Sequence, residues 1–93
     1  SILFAGVTVE EGAVVRDSIV MPGSVIRKGA VVEYAIVAEN CEIGAHAVVG
    51  QRPENAPDKD KWGIAVIGNN IHVGAGAVVP PKAMVDKDVQ GVR

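Results

Sequence analysis

Two histidines, His46 and His72, and one cysteine, Cys41, are the side chains in these 93 residues best suited to chemistry near neutral pH. A histidine can take a proton from an acceptor hydroxyl or amine, and a thiolate can attack a carbonyl. A hydrating zinc centre built on three histidines fails on count, since only two are present. The eleven acidic residues are scattered and form no convincing acid–base pair. The sequence therefore assigns no catalytic residue and no metal ligand, and what these side chains do depends on the elements that carry them.

Those elements come from a repeat. "EEGAVVRDSIV" (Glu10 to Val20) returns as "RKGAVVEYAIV" (Arg27 to Val37), and shorter versions follow in "GAHAVVGQ" from Gly44 and "GAGAVVPP" from Gly74. Four segments align, 1–17, 18–34, 35–51 and 65–81, with a partial fifth over 83–93 and an insertion at about 50–63. Aliphatic residues recur roughly every sixth position, as Leu3, Val9, Val15 and Val20, Ile26, Val32 show. Three such hexads per unit are too short for helical repeats, and they predict a triangular coil of three short strands. Alternation along each strand turns Ala30 and Val32 inward and Val31 outward. Gly12, Gly29 and Gly76 share one turn position, where a positive φ is expected. By the same alignment His46 occupies that turn position, Cys41 takes an inward slot shared with Val7, Ser24 and Ile71, and His72 points outward. All three read as structural or surface residues rather than catalytic ones.

The outward positions sort into three sides. One carries Ile2, Ile19, Ile36 and Val66, continued by Met84; another carries Val14, Val31, Val48 and Val78. The remaining side is mixed: Thr8, Val25, Glu42 and His72. Strand propensity alone would have made all three sides apolar, so the two columns predict an interface. They meet at a corner containing Arg16, Asp17, Glu33 and Tyr34, and the insertion leaves from the same corner. The interface set is thus Ile2, Ile19, Ile36, Val66, Val14, Val31, Val48 and Val78, with Tyr34 at the edge. A competing expectation folds the insertion back, so that Trp62 covers Val31 and Val48.

The runs "VEEGAV", "IRKGAV", "IGAHAV" and "VGAGAV" resemble the hexapeptide repeat, which implies an all-β, single-stranded left-handed parallel β-helix of four to five coils. "DSIVMPGSVI" (Asp17 to Ile26) and "GIAVIGNN" (Gly63 to Asn70) closely resemble the carboxy-terminal domain of bacterial ADP-glucose pyrophosphorylases. The resemblance implies a non-catalytic oligomerisation and regulatory domain. Its parent would be a cytoplasmic nucleotidyltransferase making ADP-glucose from ATP and glucose 1-phosphate for glycogen synthesis. The Mg²⁺-dependent catalytic domain would precede Ser1, and the start within a repeat suggests a piece of something longer. The family implies a tetramer and a phosphorylated effector bound near the junction of the two domains, but no cofactor in this piece. Anions are held by cations, and the candidates here are Arg16, Arg52, Lys59 and Lys61. The nearby Glu54, Asp58 and Asp60 offer a neutralised loop as the competing reading.

Composition narrows the rest. A formal charge of −2 supplies no basic footprint for nucleic acid, and no apolar run approaches the ~20 residues of a membrane span. One cysteine excludes an internal disulfide. Two alternatives stand: a trimeric hexapeptide acyltransferase that binds acyl-CoA between subunits and uses His46 or His72 as base, or the β-helix of another sugar-nucleotide pyrophosphorylase.

Overall fold

The structure, a computed structural model, describes residues 2–51 and 63–90. Its first coil holds β1 (Ile2–Leu3), β2 (Thr8–Val9) and β3 (Val14–Arg16). The second holds β4 (Ile19–Val20), β5 (Val25–Ile26) and β6 (Val31–Glu33), and the third β7 (Ala35–Val37), β8 (Glu42–Ile43) and β9 (Val48–Val49). The fourth holds β10 (Ala65–Ile67), β11 (His72–Val73) and β12 (Val78–Val79), and β13 (Met84–Val85) begins a fifth. All regular elements among the described residues are strands, and no helix there is long and apolar enough to cross a membrane.

Every third strand stacks on its counterpart. Sheet A runs β1-β4-β7-β10-β13, sheet B β11-β8-β5-β2 and sheet C β12-β9-β6-β3. All pairings are parallel and in the register of the repeat, with Ile2 beside Ile19, Thr8 beside Val25 and Val14 beside Val31. The chain is therefore a parallel β-helix of hexapeptide repeats. Its strands are two or three residues long because a corner follows each one. Coil-to-coil backbone bonds, such as Val14 N–H to the Ala30 carbonyl at 2.8 Å and Val31 N–H to the Ala47 carbonyl at 2.8 Å, satisfy the polar backbone that an aliphatic interior would otherwise strand.

The interior is a stack of aliphatic layers in which Val20, Ile26, Val32, Val37, Ile43, Val49 and Ile67 have no exposed surface. Each such side chain contributes roughly 1.5–3 kcal/mol by leaving water. Two serines sit among them without cost in unmet hydrogen bonds. The Ser18 hydroxyl donates to the Arg16 carbonyl at 2.7 Å and accepts from Ala35 N–H at 3.1 Å. Ser24 likewise donates to the Ala38 carbonyl at 2.7 Å and accepts from Cys41 N–H at 3.1 Å. Each hydroxyl ties one coil to the next where a methyl group would leave a backbone N–H unpaired.

The expected positive φ is found at Gly12, Gly29 and Gly76, at +78°, +72° and +73°. His46 adopts φ 60° at the equivalent turn, and its imidazole lies over Gly29 so closely that a Cβ there would collide with it. A side chain at Gly29 would have to displace that exposed ring, and the histidine bears the steric cost of the left-handed region, about 1–2 kcal/mol. At the corner between sheets C and A the left-handed residues are instead Asp17 (φ 47°), Tyr34 (φ 48°) and Lys82 (φ 67°).

The ends of the stack differ from its middle. Leu3 and Val9 point inward, yet they are 49% and 39% exposed, whereas Val20 and Ile26 one coil on are fully buried. Each of β1, β2 and β3 pairs on one side only. Because each coil is covered by its neighbours, coverage falls at the first layer.

Candidate docking surface

Backbone register turns alternation into columns. On the outside of sheet A, Ile2, Ile19, Ile36, Val66 and Met84 are consecutive partners, so the column is continuous through five strands. On the outside of sheet C, Val14, Val31, Val48 and Val78 are partners through four. Stacking at about 4.8 Å makes each column a ridge of touching aliphatic groups. Exposure reaches 55% at Ile2, 64% at Val78 and 82% at Met84, whereas Ile19, Ile36, Val66, Val14, Val31 and Val48 are half-buried.

Near the corner, the sheet A column is notched. A shallow groove of about 250 Å³ is lined by Ile2, Asp17, Ser18, Ile19, Ala35, Ile36 and Ile64. Ile64 is an exposed apolar residue that the repeat pattern does not pick out, because it sits just before β10 where the insertion rejoins the coil. Its signal in the sequence was the phrase "GIAV", an aliphatic residue one step ahead of an expected inward alanine.

At the corner itself Arg16 and Glu33 are register partners, and Arg16 Nη1 lies 3.2 Å from Glu33 Oε1. Arg16 is therefore engaged with a carboxylate rather than held out as a bare cation. Tyr34, half-buried, turns the corner next to it, and its carbonyl accepts from Ala65 N–H at 3.2 Å. The insertion departs at Gly50, with φ +81°, where a Cβ would run into the Glu33 carbonyl oxygen. Glycine is obligatory there because the chain must leave the coil against the backbone of the coil before it. Register places Val66 thirty positions after Ile36, against seventeen between Ile19 and Ile36. Arg52, Lys59, Lys61 and Trp62 lie outside the described residues, as do Glu54, Asp58 and Asp60. Of the four expected anion-binding cations, the structure describes Arg16 alone.

The side formed by sheet B is built differently. Thr8, Val25, Glu42 and His72 are partners along it, as their spacing implied. Arg27 ties three coils together there. Its Nε donates to Glu42 Oε2 at 2.7 Å, its Nη2 also pairs with Glu42, and its Nη1 lies 3.1 Å from Glu10 Oε2. Donating hydrogen bonds to the carboxylates of Glu42, then of Glu10, raises the guanidinium pKa above its ordinary value. The ladder was overlooked in the sequence, although Glu10 and Arg27 stand one seventeen-residue period apart and must be neighbours in any such stack.

The residues suited to chemistry are dispersed. His46 is exposed at its turn. His72 is exposed on the sheet B side, with Nδ1 3.8 Å from Asp88 Oδ2. Cys41 is buried, its thiol 2.9 Å from the Gly68 carbonyl, and burial raises its pKa despite opposing hydrogen bonds. A thiol in that state is a packing group, not a ready nucleophile. Among the described residues no three His, Cys, Asp or Glu side chains gather as metal ligands.

Comparison with known proteins agrees with this architecture. Residues 1–65 match the family described as GlmU-like, C-terminal hexapeptide. Glucose-1-phosphate adenylyltransferases from two strains of Desulfitobacterium hafniense, DSM 10664 / DCB-2 and Y51, are each 34% identical to the chain over 88 residues. That stretch is 95% of this chain but 22% of each relative, so the chain spans about a fifth of the length of the curated proteins it matches. No solved structure matches it with significance. The in-register hexads and the family match over residues 1–65 together make this chain a member of the GlmU-like C-terminal hexapeptide family.

Proposed function

We propose that this chain is the β-helix module of a glucose-1-phosphate adenylyltransferase, serving assembly and regulation rather than catalysis. The observation that carries the reading is the pair of apolar columns on the outside of sheets A and C, set against the polar, ion-paired side of sheet B. A contiguous apolar surface of that kind is a place where another protein surface fits. The occupants in this reading are the enzyme's own catalytic domain, preceding this module, and neighbouring subunits of a tetramer. The parent reaction joins ATP and glucose 1-phosphate to give ADP-glucose and pyrophosphate in the cytoplasm, for glycogen synthesis, with Mg²⁺ held by the catalytic domain. A phosphorylated effector would bind close to the corner of Arg16 and the insertion.

The name shared by the two relatives supports the choice of parent, and the columns support the choice of role. Light scattering on the chain across a wide concentration range tests the role. Association that weakens in Val31→Arg and Ile36→Arg but persists in Val25→Arg is the expected result. Equal loss of association in Val25→Arg, or none in Val31→Arg and Ile36→Arg, would overturn docking through the columns. The parent is tested separately, by assaying the longer polypeptide that contains this chain for pyrophosphate release from ATP and glucose 1-phosphate.

A further inference from the structure

We draw no further inference here: the strongest candidate, the shallow apolar groove between Ile19, Ile36 and Ile64 on the outer side of sheet A, belongs to the docking surface already described, and nothing in the structure shows what covers it.

Discussion

The sides formed by sheets B and C share one backbone plan. Both are four parallel strands in the same register, and both turn aliphatic residues inward. Outside they part company. Sheet C shows four valines in line, whereas sheet B shows threonine, valine, glutamate and histidine, overlain by the Glu10–Arg27–Glu42 ladder. The strand's preference for β-branched residues acted equally on both sides, so it does not explain the difference. What the contrast teaches is that the inward layer builds the coil and the outward layer is free to be chosen for what it meets. Water suits the sheet B side, where the paired charges of Glu10, Arg27 and Glu42 keep about 37–42% of their side-chain surface exposed. An apolar partner suits the sheet C side, where four valines in a row have little to offer water.

If that division is right, the largest effects should be inward and blind to side. Ile26→Ala on sheet B and Ile67→Ala on sheet A each remove a fully buried side chain and should cost about 2–5 kcal/mol, read from urea midpoints. A loss below about 1 kcal/mol at either would mean that the stack relaxes around gaps and that the inward layer is not what defines the coil.

Outward changes should separate the sides by association rather than stability. Val31→Arg and Val48→Arg should leave the unfolding free energy within about 0.5 kcal/mol while weakening self-association or docking at least about tenfold. Val25→Arg should do neither, and matched sedimentation profiles at rising concentration make the comparison. Equal behaviour of the two sides would erase the distinction drawn between them.

The turns offer a smaller test of the same logic, since backbone conformation there is common to all coils. His46→Gly should stabilise the chain by about 1 kcal/mol, because glycine takes the left-handed region freely and its neighbours in that column are already glycine. A loss of stability would show that the ring over Gly29 contributes more by packing than its backbone costs.

Cys41 gives a pH signature from inside. Its folded pKa lies above the unfolded value because burial disfavours the thiolate. The native state therefore holds its proton longer, and stability is fully present below the unfolded thiol pKa. It declines as pH rises through that value toward the folded one. Cys41→Ala should flatten this alkaline decline, as thermal midpoints between about pH 7 and 10 would record. The smallest effect belongs to the exposed ladder. Arg27→Met should lower the midpoint slightly in dilute buffer and by nothing measurable in 1 M salt, because solvated ion pairs are weak and screened. A large, salt-resistant loss would mean that the sheet B side contributes to the stack as more than a solvated surface.

Much of the fold was legible beforehand because a repeat makes distance along the chain equivalent to contact. Once Leu3, Val20, Val37 and Ile67 align, their strands must be neighbours, and the turn glycines at 12, 29 and 76 declare a left-handed backbone. The candidate docking columns were legible for the same reason, as was the buried slot of Cys41. Less visible were contacts that depend on how far a side chain reaches, such as Arg27 spanning from Glu10 to Glu42, or Ile64 lining a groove.

Taken alone, then, the amino-acid order determined the number of coils, the inward layer and the three outward columns, because a period-two strand inside a seventeen-residue coil leaves each position one direction to point. Only the tertiary structure decided that Arg16 is committed to Glu33, that the serines bridge coils, and that His46 lies over Gly29. Those outcomes depend on rotamers and on the exact approach of one coil to the next. Periodicity puts residues side by side; whether they bond is settled in the last few ångströms.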